Sequence, residues 1–294
     1  MIYLKMLRVH HWVKNLFLFI PLFFAGELFV QEKLLMVIAG FFPFCLCASA
    51  IYVLNDLKDL PFDRIHPVKA KRPIASGAVS KPAAITIATI CMVAGLATAY
   101  FLKPKFFFVL ALYVVLNIMY SLKLKQVSIL DVFILSIGFV LRIKAGGVLA
   151  QIGISQWLMI MVFLLALFMA VAKRRDDVLI KETSHQVVRK ASEGYQLDFL
   201  NTMLSVIVSV IMVSYIMYCI SAETMIRFHT HRLYYTSLFV LAGLFRYLQI
   251  VYVQRDSGSP TRLLYRDRFI QVTILLWIVS FYLIIYFPDK TFFE

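Results

Sequence analysis

An all-α, polytopic membrane helix bundle is the fold class this sequence predicts, and three observations predict it. The 294-residue chain is 62% hydrophobic with a mean hydropathy of +0.83, far above the roughly 45–50% apolar share of an ordinary globular domain. Nine apolar stretches are long enough, at about 1.5 Å per residue, to cross a hydrocarbon layer of about 30 Å as helices. Lysine and arginine then fall unevenly between those stretches, as membrane insertion demands. No long polar segment is left for a soluble domain, so residues 1–294 are expected to form one membrane domain.

The first stretch, 15–31, follows a basic lead of Lys5, Arg8 and Lys14. A secretory leader has the same outline, but Trp12, Lys14 and Asn15 belong to a pattern taken up below, so a retained spanning helix is expected. The stretch is short and carries Glu27. The next run, 34–54, ends at Asn55-Asp56, and 83–102 and 106–122 flank Lys103-Pro104-Lys105. The fifth, 127–149, is interrupted by Arg142 and Lys144, and 152–172 ends at Lys173-Arg174-Arg175. Stretches 197–221, 233–253 and 269–287 complete the nine.

With the N-terminus inside, inner segments hold 21 Lys or Arg and outer segments 6. That bias places the N-terminus in the cytoplasm and the loops after the second and sixth stretches on the same side. The net charge of +14 fits positive-inside loops, anionic lipid or anionic substrates. Nucleic acid is disfavoured, because no soluble basic module exists to bind it. Cys45, Cys47, Cys91 and Cys219 lie in apolar runs, which points to packing and to neither a disulfide framework nor a metal site. The two long cytosolic loops are separated by four stretches, which suggests a duplicated four-helix unit.

Chemistry is expected first between Asn55 and Gly77, where three carboxylates and five Lys or Arg share 23 residues. Asp56, Asp59 and Asp63 stand at i, i+3 and i+7, within about 60° of one helix face, and Asn55 adds an amide oxygen. Pro61 lacks a backbone donor, so Asp63 is expected on a turn beyond the helix end. Clustered oxygens at a membrane surface suit Mg2+, which takes one or two carboxylates and completes its shell with water and phosphate oxygens. The competing reading is a set of solvated loop charges paired with Lys58 and Arg64. Arg64, Lys69, Lys71 and Arg72 exceed what three acids need, however, and carboxylates beside surplus cations fit a metal-bound pyrophosphate.

A second cluster, Lys173-Arg174-Arg175-Asp176-Asp177, begins where the sixth stretch ends. A positive-inside stop explains its three cations; its equivalent place in the suggested repeat favours a site shared with the first cluster. Asp131, Arg142 and Arg246 lie within spans, where ionisable groups are costly and default to functional candidates. Arg246 is expected to face the bundle interior, whereas Arg142 and Lys144 have the option of reaching the outer surface. Asp131 has Lys123, Lys125 or a substrate as candidate partners. Asn117, Tyr120 and Ser121 are read as interhelical hydrogen-bonding groups.

Asn55-Asp56-x-x-Asp59-x-x-x-Asp63 in a basic chain of nine spans resembles the UbiA superfamily of intramembrane prenyltransferases. The superfamily's second acidic motif is absent, and Lys173-Arg174-Arg175-Asp176-Asp177 stands in its place. That departure, with Trp12, Lys14 and Asn15, the run Asp63 to Gly77 including His66-Pro67, Asn117 with Tyr120-Ser121, Gly138 to Arg142 with Gly146-Gly147, Phe245 to Leu248 and Arg266-Asp267-Arg268, is similar to one branch. Its members move a 5-phosphoribosyl group from phosphoribosyl pyrophosphate to a decaprenyl-like polyprenyl phosphate. Val9 and His11 depart from the branch's Pro and Gln.

The resemblance implies Mg2+ on Asp56 and Asp59, with Asn55 and Asp63 assisting. It implies donor phosphates on Arg64, Lys69 and Arg72, and donor or acceptor phosphate on Lys173, Arg174 and Arg175 near Asp177. Arg8 and Lys14 would meet the lipid head group, and Arg142 and Arg246 are further substrate-binding candidates. The site would lie on the cytoplasmic side of the cell membrane. Two other classes compete: a transferase that moves a prenyl group from a prenyl diphosphate to an aromatic or other acceptor, and a non-catalytic anion or lipid transporter.

Overall fold

A computed structural model describes residues 2–65, 68–184, 194–254, 263 and 266–287. Among the described residues every regular element is helical. Among the described residues eight helices are long and apolar enough to cross a membrane: Gln31–Lys58, Lys81–Leu102, Pro104–Leu122, Leu130–Ala150, Gln156–Ile180, Leu197–Ile220, Arg232–Val253 and Arg268–Tyr286. The ninth expected stretch, 15–31, differs. A shorter apolar helix runs over Val9–Phe24, wound as a 3-10 helix from Val9 to Phe19 and as an α-helix from Ile20 to Phe24. The 3-10 rise of about 2.0 Å per residue lets this short segment reach about 30 Å, comparable with a hydrocarbon layer.

By backbone contacts the chain forms two units, residues 1–125 with 138–153, and residues 126–137 with 154–294. The first is organised on Gln31–Lys58, whose Ala50 and Val53 share a buried cluster with Met6, Leu60, Ile74, Val79, Ala84 and Ala88. Glycines let backbones close up on it: a Cβ on Gly95 would lie 2.9 Å from the Pro43 carbonyl oxygen. One on Gly146 would lie 1.9 Å from the Leu18 carbonyl oxygen, so Val9–Phe19 runs almost backbone to backbone with the end of Leu130–Ala150, the small-residue contact that membrane helices use in place of a hydrophobic drive.

The 3-10 winding also decides which side chains point inward. Three residues per turn stack i and i+3, and Trp12, Asn15 and Leu18 are spaced by three. Leu18 and Asn15 are buried, Trp12 Nε1 donates to Ser49 Oγ at 2.9 Å, and Asn15 Nδ2 donates to Cys45 Sγ at 3.1 Å.

In the second unit Gln156–Ser184 packs along Leu197–Ile220, through Leu167, Phe168, Val171, Leu200, Leu204 and Ile207. Tyr215 ties three elements together, its hydroxyl 2.6 Å from Thr236 Oγ1 and accepting from Trp277 Nε1 at 2.7 Å. Arg268–Tyr286 starts on Asp267, whose Oδ1 accepts from the Ile270 N–H at 2.9 Å while Oδ2 accepts from Arg246 Nη2 at 2.9 Å. Asp267 is thus both N-cap and ion-pair partner.

The hydrogen bonds from Arg246, helped by the helix N-terminus, hold the Asp267 carboxyl below its usual range. A carboxyl depressed by folding stabilises above its unfolded pKa of about 3.9 and loses that contribution as pH falls through the folded value. At pH 7 the contribution is therefore complete. Asp267→Ala is expected to lower the thermal unfolding midpoint by the equivalent of about 1 kcal/mol, with Asp267→Asn retaining the cap and losing less. Differential scanning fluorimetry in detergent at pH 7 and pH 4 checks this; the gap between wild type and Asp267→Asn should shrink at the lower pH.

Candidate active site

The acidic motif sits where Gln31–Lys58 ends. Asp59 caps that helix, its N–H on the Asn55 carbonyl, and a short helix, Leu60–Ile65, follows at once. Pro61 is not the terminator expected of it. It occupies the first turn of the new helix, where a missing N–H costs nothing. Asp63 is therefore helical, with its N–H on the Asp59 carbonyl at 2.9 Å, and does not lie on a turn.

This break sorts the three carboxylates into two groups. Asp56 and Asp63, 4% and 3% exposed, converge on Arg72 Nη1 at 3.0 and 2.5 Å, and Asp56 also accepts from Arg8 Nη2 at 2.5 Å. Asn55 and Asp59, one helical turn apart, meet Lys125 instead: its Nζ lies 2.5 Å from Asp59 Oδ1 and 3.2 Å from Asn55 Oδ1. Two buried carboxylates this close repel unless a cation lies between them, and Arg72 is that cation.

Arg72 can reach them because its loop is anchored. Ile74 and Val79 are 3% and 4% exposed in the hydrophobic cluster, and the Val79 N–H bonds the Pro73 carbonyl at 2.9 Å. Gly77 turns the chain at φ 79°, a left-handed conformation that glycine adopts without steric cost. Arg8 is also set by backbone, being left-handed itself at φ 51° between Ile2–Met6 and Val9–Phe19; its guanidinium lies 5.3 Å from the Tyr52 ring. Of the other basic candidates here, Arg64 is exposed and Lys69 and Lys14 are half-buried. His66 and Pro67 lie outside the described residues.

Arg142 is buried in the same unit and does not turn outward, while Lys144 is exposed. Its Nε donates to Asn15 Oδ1, Nη1 to the Gly138 carbonyl and Nη2 to Tyr113 Oη, at 2.8 to 2.9 Å. The rings of Phe44, Tyr113 and Phe139 surround it at 4.8 to 5.5 Å. Every one of these partners is neutral, so the cation is solvated by dipoles and ring faces.

In the second unit Asp131 and Arg174, 0% and 1% exposed, form a buried ion pair at 2.5 Å. Arg174 Nη1 also meets Asp177 at 2.6 Å, and Tyr195 Oη donates to Asp131 Oδ1 at 2.8 Å. Arg175 Nε donates to Asn201 Oδ1 at 2.7 Å and lies over Tyr252, whereas Lys173 is exposed. Arg246 pairs with Asp267 and Gln249 at the start of the last helix. Its charge is met at a helix end, and not in the bundle interior as expected. Asn117 Nδ2 bonds the Tyr113 carbonyl one turn back.

Sequence reasoning did not single out Lys125, Tyr113 or Tyr195. Lys125 was considered only as a partner of Asp131, yet its partner lies 66 residues away. The available signal was its place in the short basic loop just after Tyr120-Ser121.

The chemistry of this arrangement is that of anion handling. Asp56, Asp59, Asp63 and Asn55 present hard oxygens, and among the described residues no group of three or more His, Cys, Asp or Glu is close enough to hold a metal ion alone. An ion bound there would need ligands from an anionic substrate, which is how Mg2+ is usually held beside phosphates. Arg8, Arg72 and Lys125 already touch the carboxylates, within reach of whatever those carboxylates bind.

The UbiA prenyltransferase family matches residues 16–279. A decaprenyl-phosphate phosphoribosyltransferase from Mycolicibacterium smegmatis is 31% identical over 97% of this chain and 92% of its own. Another of that name from Corynebacterium glutamicum is 31% identical over 96% and 86%. Among solved structures, a UbiA homologue from Archaeoglobus fulgidus bound to GPP and Mg2+ superposes with a TM-score of 0.71 at 18% identity, covering 97% of this chain and all of its own. A family match over nearly all of the chain, on an all-helical membrane fold, shows that this protein is a membrane transferase and belongs to the UbiA prenyltransferase family.

Proposed function

We propose that the protein, acting as one membrane domain, transfers 5-phosphoribose from phosphoribosyl pyrophosphate to a polyprenyl phosphate at the cytoplasmic face. The observation that carries this reading is an acidic motif whose three carboxylates are each met by a cation, Arg8, Arg72 and Lys125 on Asp56, Asp63 and Asp59, with Arg64, Lys69 and Lys71 in the same stretch to spare. It is supported by two relatives named as decaprenyl-phosphate phosphoribosyltransferases that match along almost their whole length. Prenyl transfer leaves an allylic cation needing aromatic or anionic surroundings; phosphoribosyl transfer brings two anions together and needs positive charge.

Mg2+, a metal named with the Archaeoglobus fulgidus homologue, would take oxygens from Asp56 with Asp63 or from Asp59 with Asn55, and complete its shell with substrate phosphates and water. When bound it supplies charge neutralisation for the departing diphosphate. The residues of the chain do the rest. Arg72 and Arg64, with Lys69, grip donor phosphates, and Lys125 stands at the other edge of the motif. Lys14 and Arg8 face the head group of the lipid acceptor.

A phosphate oxygen of the acceptor attacks C1 of the ribose as the C1–O bond to diphosphate breaks, and diphosphate leaves. The acceptor is a phosphate monoester with its second pKa at about 6, so it is anionic at pH 7 and no general base is required. Direct displacement gives inversion at C1. Arg174 serves this reaction by holding Asp131 and Asp177 in place, while Lys173 is exposed at the surface.

Mass spectrometry of lipids after incubation with phosphoribosyl pyrophosphate, Mg2+ and a ladder of polyprenyl phosphates should show phosphoribosylated lipid. Its absence at every chain length, with label passing instead from a prenyl diphosphate, would establish the prenyltransferase alternative. Release of no pyrophosphate from either donor would leave a binding or transport role. Asp56→Asn is expected to reduce turnover by at least 100-fold, about 2.7 kcal/mol at the barrier. Arg72→Ala should lose activity similarly and also fold less stably, because Asp56 and Asp63 then face each other without their shared cation. Full Mg2+-dependent turnover in Asp56→Asn would refute the assignment of that carboxylate.

A further inference from the structure

The short helix that carries Asp63 turns large apolar side chains away from the protein. Leu60 and Asp63, three residues apart, are 4% and 3% exposed and form its inner face. Phe62 and Ile65, also three apart and so within about 60° of each other around the helix, are 71% and 82% exposed. Val68, just beyond, is 71% exposed. Apolar side chains scattered singly over a surface need no explanation, whereas a cluster of them marks a contact.

The N-terminal helix Ile2–Met6 repeats the arrangement. Met6 is buried in the same hydrophobic cluster as Leu60, while Tyr3 and Leu4 are exposed. Two segments far apart in sequence thus stand on one core with apolar side chains outward. Over the described residues of 2–8 and 54–80 every exposed charged side chain is a cation, Lys5, Lys58, Arg64 or Lys71. The carboxylates of the same stretch, Asp56, Asp59 and Asp63, are each already met by a cation.

Depth decides what meets this face. Gln31–Lys58 has 28 residues, about 42 Å of helix, against about 30 Å of hydrocarbon and about 40–45 Å with both head-group layers. Leu60–Ile65 follows after a single residue, Asp59, so it begins at the level of the head groups and not in bulk water. At that level apolar side chains reach acyl chains and lysines reach lipid phosphates.

We propose that this face is a membrane-interface anchor: Phe62, Ile65 and Val68 insert into the anionic surface of the membrane that the protein spans, and Lys5 and Lys71 pair with lipid phosphates beside them. Asp63 shares its helix with Phe62 and Ile65, so the anchor also holds the carboxylates bridged by Arg72 at the depth of phosphate head groups. The anchor stands on exposure, charge and span length, and does not rest on the transfer reaction proposed above.

Power-saturation electron paramagnetic resonance of the full-length protein in lipid nanodiscs tests it, with O2 as the apolar relaxant and a neutral nickel chelate as the water-soluble one. The native cysteines are buried, so a methanethiosulfonate spin label reports single introduced cysteines, with unsubstituted protein as the blank. In a mixture of phosphatidylcholine and phosphatidylglycerol, labels at Phe62→Cys and Ile65→Cys should be relaxed at least threefold more by O2 than by the chelate. Val115→Cys, exposed within Pro104–Leu122, should behave alike, and Arg64→Cys, on another face of the short helix, should show the opposite preference. Phosphatidylcholine alone, or Lys5→Gln with Lys71→Gln, should lower the ratio at Phe62→Cys and Ile65→Cys at least twofold. Phe62→Ser with Ile65→Ser should bring a label at Val68→Cys into contact with the chelate and leave the thermal unfolding midpoint in detergent unchanged, because both side chains are exposed.

Preference for the chelate at Phe62→Cys and Ile65→Cys would place the face in water, and exclusion of both relaxants would show it covered by protein. Either result overturns the proposal. A lowered midpoint in the double serine variant would assign Phe62 and Ile65 to internal packing and overturn it as well. Equal ratios in the two lipid compositions would overturn the part given to the lysines.

Discussion

Asp56 and Asp63 meeting on a single guanidinium nitrogen of Arg72 is the interaction on which the first unit depends. Two carboxylates removed from water cannot both stay ionised side by side without a cation between them. Much of the local architecture follows from delivering that cation. The buried Ile74 and Val79 tether the loop, Gly77 turns it, and the helix restart at Leu60 brings Asp63 round to the Asp56 side. Asp59, at the break, is left facing the other way and is met by Lys125. The motif is thus two half-sites of opposite outlook on one bend in the chain.

Such internal pairing is also what an anion-transfer site would require between turnovers. Carboxylates that wait for a divalent cation need partners in its absence, and cations that wait for phosphate need partners too. Pairing each with the other satisfies both, provided the pairs are partly accessible and exchange readily. Asp59 and Lys125, with side chains 28% and 14% exposed, and Arg72, at 27%, meet that condition. Arg174 with Asp131, at 1% and 0%, does not, which is why a structural role suits it better than direct contact with a substrate.

Hydropathy made the long helices legible, because in lipid every backbone donor must be satisfied within its own segment and helices alone do that for a chain of this composition. The acidic motif was legible as a cluster of hard oxygens, Asn55, Asp56, Asp59 and Asp63, though its division between Arg72 and Lys125 was not. Three further features were not. The 3-10 winding of Val9–Phe19 has no compositional signature, yet it alone explains why Trp12, Asn15 and Leu18 share an inward face. Pro61 reads equally well as the end of one helix or the first turn of another, and the structure takes the second. Asp131, which pairs with Arg174 Nε, and Asp59, which pairs with Lys125, lie 43 and 66 residues away, beyond any local pattern.

The two buried arginines look alike in sequence, each a cation placed in or at the end of an apolar run, yet their surroundings assign them different electrostatic parts. Arg174 has carboxylates on both Nε and Nη1, so its field is largely cancelled a short distance away. Arg142 is hydrogen-bonded to an amide oxygen, a carbonyl and a phenol, and ringed by three aromatic faces. Those dipoles stabilise the cation without neutralising it, and in a medium of low dielectric an uncancelled charge acts over a longer range than it would in water. Because Asn15 and Gly146 bind this region to the Val9–Phe19 helix, the positive field of Arg142 lies in the same unit as Lys14 and Arg8. A unit that spends no carboxylate on its most buried arginine has kept a standing attraction for anions, and the transfer proposed above would use that attraction to bring two phosphate-bearing substrates together against their mutual repulsion.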